Sequence, residues 1–122
     1  MIKAKNLKVG YEQKIIIEDL SIDIEKGQVV SILGPNGSGK STLLKALSRM
    51  IKPKSGEIYI ENQKLTDIKN KKISQKLCLL SQHNTVPGDI SVEDLVYFGR
   101  MPHKKWYETK LKEDEEIVNW AI

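Results

Sequence analysis

The sequence predicts an α/β fold, and three features carry that expectation. The opening residues alternate polar and apolar side chains, as half-buried strands do. The run VVSIL at 29–33 is short, β-branched and almost wholly apolar, which is how a strand covered on both faces of a parallel sheet reads. Soon after it, Leu43, Leu44 and Leu47 recur at helical spacing.

Taken in order, Ile2, Ala4, Leu7 and Val9 alternate loosely with lysines, the polar break YEQK follows, and IIIEDLSIDI begins a second strand. Two antiparallel strands joined by a turn are expected. In the second, Leu20, Ile22 and Ile24 share one face while Ser21, Asp23 and Glu25 share the other. KGQ makes a turn into the apolar run 29–33. Beyond a glycine-rich stretch, the leucine stripe continues through Met50 and Ile51, which places a helix over about 40–50, stopped by KPKSG.

GEIYI alternates again as a strand, ENQKL as a turn, and TDIKNKKISQ as a short polar helix. LCLLSQ at 77–82 is a second candidate buried strand. HNTVPGD is a loop, and Ser91 is placed to cap the helix VEDLVYFG, with Asp94 three residues on and Gly99 at its end. RMPHKKW breaks the pattern. LKEDEEIVNWAI then opens an amphipathic helix whose acidic run at 113–116 reads as its exposed face.

The 122 residues suffice for one domain or part of one, with 39% hydrophobic content for a core. Twenty Lys and Arg against sixteen Asp and Glu give a net charge of +4. The lysines are scattered among acids, and KNKK at 69–72 reads as a solvated turn or helix face, so no nucleic-acid partner is expected. Cys78, the only cysteine, excludes an intrachain disulfide and is expected as a small buried thiol in a reducing cytosol. No run of 18 apolar residues and no signal-peptide pattern occurs, so any membrane role is expected to come through a partner, without direct insertion.

Between the apolar run and the leucine stripe lies GPNGSGKST. Gly34, four intervening residues, Gly39, Lys40 and Ser41 match G-x-x-x-x-G-K-[ST], the phosphate-binding P-loop, which requires a strand before it and a helix after it. Gly34, Gly37 and Gly39 let the loop curl so that backbone N–H groups from Asn36 onward point inward, with the helix dipole behind them. Pro35 and Ser38 complete the loop. Lys40 is expected on the β- and γ-phosphates, Ser41 on Mg²⁺, and Thr42 near the α-phosphate. Binding of a nucleoside triphosphate follows; a G-x-G-x-x-G dinucleotide site does not, because that pattern is absent.

The flanks narrow the class. GPNGSGKSTLLKAL, preceded by LSIDIEKGQVVSIL and followed by SGEIYI, closely resembles the ATP-binding subunits of ABC transporters over essentially the whole chain. ISVEDLVYFGRMPH further resembles importers of iron-siderophores, haem and cobalamin. The resemblance implies a partial P-loop NTPase fold of the ABC type. Its parts would be an antiparallel β-subdomain at 1–27, a P-loop core at 28–82, and the start of a helical subdomain at 83–122.

It also implies roles. Tyr11 stands where the family carries an aromatic that stacks on adenine, and Gln82 where it carries the Q-loop glutamine that contacts Mg²⁺ and faces the permease. ATP and Mg²⁺ are the implied ligands. The implied partners are membrane permease subunits and a second ATP-binding subunit, on the inner face of the cell membrane. The surface 82–106, with Val86, Tyr97 and Met101, is the implied dock, and His83 and His103 read as surface residues.

No LSGGQ-like signature, Walker B Asp-Glu, D-loop or switch histidine occurs in these residues. The resemblance therefore covers the first half of such a subunit. Lys40 and Gln82 contribute to catalysis in the longer parent, an ATPase, but the catalytic set is incomplete, and these residues alone are expected to bind nucleotide without turning it over. A soluble ABC protein acting in DNA repair or translation is the alternative parent.

Overall fold

The structure is a computed structural model that describes residues 1–82, 85 and 88–122. It divides into two compact units, Met1–Lys69 and Asn70–Ile122.

The first unit is built on a four-stranded antiparallel sheet in the order β2-β1-β3-β4, comprising β1 (Ile2–Tyr11), β2 (Lys14–Ile24), β3 (Ser55–Ile60) and β4 (Gln63–Lys64). β1 and β2 form the expected hairpin, with Tyr11 opposite Lys14 and Ile2 opposite Ile24. β3 joins β4 through Glu61 and Asn62, both at positive φ (49° and 65°), as a two-residue type I′ turn requires.

β1 is not one regular strand. Ala4, Leu7 and Val9 are all buried, yet Ala4 and Leu7 are an odd number of residues apart and would face opposite sides of an unbroken strand. The register shifts between them, and Asn6 takes a left-handed φ of 47° while its amide donates to Ser21 Oγ at 2.9 Å. This bulge restores the phase, so all three side chains enter one core. Across from it Gly56 has φ 84°, and a Cβ there would fall 2.4 Å from the Asn6 carbonyl oxygen; only glycine admits so close an approach.

Onto this sheet packs α1 (Lys40–Leu47), whose face of Thr42, Leu43, Ala46 and Leu47 is buried. Ile58 and Ile60 of β3 close the core with Leu65 and Ile68. Full burial of Leu7 or Val9 contributes roughly 1.5–3 kcal/mol each. α1 ends earlier than the leucine stripe suggests. Arg49 turns left-handed at φ 63°, and the Met50 and Ile51 amides fold back onto the Lys45 carbonyl at 2.8 and 3.1 Å.

Two expectations require correction. Residues 29–33 and 77–82 form no strand ladder, and Val29 (96% exposed), Leu33 (91%) and Leu80 (84%) lie open. A parallel strand takes both its hydrogen bonds and its cover from neighbours. Among the described residues the four strands pair only with one another, and neither segment joins their sheet. Cys78 is exposed for the same reason, not buried as its sequence context suggests.

The second unit holds α2 (Asn70–Ser74), α3 (Val92–Tyr97), a 3-10 turn over Phe98–His103, and α4 (Lys112–Ala121). Ser91 caps α3 as expected, its Oγ accepting from the Asp94 amide at 3.1 Å. The acidic run is not uniformly exposed, because Asp114 is buried. Its carboxylate accepts from Arg100 Nε and Lys104 Nζ, both at 2.8 Å, and from the Leu111 amide at 3.1 Å at the start of α4. Lys104 also donates to Tyr97 Oη at 2.6 Å and to the Thr109 carbonyl.

Candidate functional site

The loop 34–39 runs along the surface and turns into α1 at Gly39. Its helix half is as the motif demands; the preceding strand is not formed. Gly39 is the N-cap residue, at φ 96° and ψ 5°, and a Cβ there would stand 2.9 Å from Ile16 Cγ2 and 3.4 Å from Ile17 Cγ1. Gly39 thus lies directly against β2. Nothing lies within 4 Å of a Cβ added at Gly37, whose φ of 81° serves the backbone path alone.

The N-terminus of α1 carries no side-chain cap and no acid in its first turn. The first amides of a helix have no intrahelical partner, and the dipole concentrates partial positive charge there. Lys40 adds a full charge. Its Nζ donates to the Gly34 and Pro35 carbonyls, both at 2.7 Å, which folds the ammonium back across the loop. The Ser38 amide reaches the Pro35 carbonyl at 3.3 Å and tightens the same turn.

The remaining named residues fall as follows. Asn36 and Ser38 are exposed in the loop, Ser41 is exposed on the first turn of α1, and Thr42 is buried on its packing face. Tyr11 is 45% exposed at the tip of the β1–β2 hairpin. Its partner Lys14 precedes Ile16 and Ile17 by two and three residues, about 7–10 Å of strand. One hairpin therefore carries both the aromatic and the floor beneath Gly39. Gln82 lies exposed in the second unit.

His103 is exposed, while His83 and Val86 lie outside the described residues. Among the described residues no cluster of His, Cys, Asp and Glu fit to hold a metal occurs, and no helix is long and apolar enough to cross a membrane.

Residues 17–121 match the family described as ABC transporter. The chain belongs to the ABC transporter family. Two curated relatives are the petrobactin import ATP-binding protein FpuC of Bacillus anthracis, 37% identical over 122 residues, and the ferric enterobactin transport ATP-binding protein FepC of Escherichia coli, 38% identical over 121. The matches take in 100% and 99% of this chain and 45% of each relative. The chain thus spans about half the length of the curated relatives it matches.

A solved dimeric ATP-binding cassette, MJ0796 with ADP and phosphate, superposes with a TM-score of 0.80 at 26% identity, covering 99% of this chain and 55% of that one. The partial α/β architecture is therefore that of an ABC transporter cassette.

In this ABC transporter chain the sequence pattern marks the loop glycines and Lys40 but gives no sign of Ile16 and Ile17 beneath Gly39. The run III at 15–17 reads only as strand, and a residue's place beneath a loop twenty positions later leaves no local signal.

Proposed function

We propose that this chain is the phosphate-binding portion of the ATP-hydrolysing subunit of an ABC importer. The observation that carries the reading is the uncapped, acid-free N-terminus of α1 with Lys40 folded across the loop that leads into it.

The donor set there is of one kind: the backbone amides of 36–42, the Lys40 ammonium and the Ser38, Ser41 and Thr42 hydroxyls. A triphosphate offers only acceptors, so the two match without a repelling carboxylate in the first turn. The amides hold the phosphate oxygens, Lys40 exchanges carbonyl partners for the β- and γ-phosphates, and Tyr11 stacks on the base. Ser41, exposed on the first turn of α1, is the residue of this unit that would hold Mg²⁺, which when bound neutralises charge on the phosphates.

In the whole protein, a second ATP-binding subunit and a membrane permease complete the machine, with the chain peripheral to the inner face of the membrane and 82–106 contributing to the dock. The names of FpuC and FepC support a chelated-iron cargo. Within the dock, Met101 is exposed and available, whereas Tyr97 is engaged by Lys104 and serves the local scaffold.

Titration with tripolyphosphate and ATP tests the reading. Lys40→Ala should weaken both by about 1.5–3 kcal/mol, the range for a charge-assisted contact. Equal affinity of the variant and the native chain would remove the loop from nucleotide binding.

A further inference from the structure

Unit one holds a concavity at the other end of α1 from the loop 34–39. It is a cavity of about 560 Å³ between the C-terminal end of α1, the connection to β3, and the turn after β4. That size lies within the range of small-molecule sites. Its lining is apolar in the middle, with Ala46, Ile51, Ile58 and Leu65, and basic at the edge, with Arg49, Lys52 and Lys54.

The charge at this edge is not balanced. Of the charged residues in the lining, Arg49, Lys52, Lys54 and Lys64 are basic and Glu57 alone is acidic. Arg49 donates through Nη1 to the Ile68 carbonyl at 2.6 Å, and Lys54 donates to the Glu12 carbonyl. Both acceptors are neutral carbonyls. Glu57, the one acid in the lining, is already held by Lys64 at 2.5 Å and by Tyr59 Oη at 2.6 Å.

We infer that this cavity binds a soluble amphipathic organic anion, its carboxylate or phosphate head on Arg49, Lys52 and Lys54 and its apolar body over Ala46, Ile51 and Leu65. Arg49 suits such a head because it is held at one nitrogen and its fork retains further donors. A concave apolar floor selects a separate small molecule over a bilayer, which would need a protruding apolar surface to enter it. The site is separate from the P-loop and does not rest on nucleotide binding there.

The ten-carbon carboxylate decanoate serves as the probe, titrated below its micellar range into the ¹⁵N-labelled chain. Saturable shifts should centre on the amides of Arg49, Lys52, Ile58 and Leu65. Lys52→Glu lies on an exposed loop and should keep the native spectrum while weakening decanoate about tenfold or more. 1-Decanol and acetate should each bind far more weakly than decanoate, the first lacking the charge and the second the apolar body.

Four outcomes would overturn the inference. They are shifts confined to the open apolar segments 29–33 and 77–82, unchanged affinity in Lys52→Glu, acetate binding as tightly as decanoate, and binding seen only with phosphatidylglycerol vesicles. The last would assign the basic edge to a lipid surface.

Discussion

Lys104 and Asp114 form an ion pair of 2.8 Å whose side chains are only 7% and 3% exposed. Arg100 completes the group from the other carboxylate oxygen at 2.8 Å. Hydrogen bonds from Lys104, then from Arg100, hold the Asp114 carboxyl well below the usual carboxylate range, against the opposing effect of burial. For Lys104, burial is the largest influence and lowers its pKa, yet the bonds to Asp114 and Tyr97 together raise it above the ordinary lysine value.

A carboxylate with a depressed folded-state pKa stabilises the fold at and above the ordinary aspartate value. That contribution is lost as pH falls from there toward the folded pKa. The raised lysine contributes below its ordinary value and loses that contribution as pH climbs past it. The protection factors of the α4 amides, taken against the intrinsic exchange rate at each pH, should therefore be high at neutral pH and fall on acidification below the ordinary aspartate range. Asp114→Asn should show low protection at neutral pH already, with little further change in acid, because Arg100 and Lys104 are then left without their counter-charge. An equally steep acid limb in the variant would locate the titrating group elsewhere.

Gly39→Ala tests the seat of the P-loop. A Cβ at φ 96° costs about 1–2 kcal/mol in the backbone alone, and this one would also press on Ile16. Thermal unfolding should show the loss, and tripolyphosphate affinity should fall with it. Gly37→Ala, which meets no neighbour, should show only the backbone cost. Similar behaviour of the two variants would mean that contact with β2 contributes nothing.

Tyr11→Ala separates base from phosphate. Loss of a stacking face should weaken ATP and GTP alike by about 1–3 kcal/mol while tripolyphosphate is held as before. Calorimetry showing tripolyphosphate equally impaired would make Tyr11 a support of the hairpin.

The open segments predict association. Apolar, β-branched residues at 29–33 with unpaired backbone groups invite strand pairing with another copy. Sedimentation velocity should show weight-average mass rising with concentration, less so for Val29→Lys. A single monomeric boundary at every concentration would show that these segments are protected in solution.

What could be read from the sequence was what local rules determine. The Ser91 cap, the β1–β2 hairpin, the strand GEIYI and the start of α1 at Lys40 each follow from side chains within a few positions of one another. Residues 29–33 and 77–82 failed as strands because a ladder belongs to two segments, and their composition speaks only for one. Asp114 was misread because its neighbours Glu113, Glu115 and Glu116 face water, and nothing adjacent announces Arg100 and Lys104. The glycine pattern marked the turn into α1 at Gly39, while the contact of Gly39 with Ile16 and Ile17 came from the fold alone.

The bulge at Asn6 sets more than the phase of a strand. Without Asn6, Ala4, Leu7 and Val9 would already alternate in step, so the extra residue is unnecessary for sorting inside from outside. What it adds is coil, since a bulge sharpens the right-handed twist of the pair that carries it. The distal hairpin, with Tyr11 at its tip and Ile16 on its flank, takes its course from this bulge together with the further register shifts between Leu7, Val9 and Gly10. The close approach of Gly56 to Asn6 fixes that corner from the facing strand, so twist enters the sheet well before the tip that carries Tyr11.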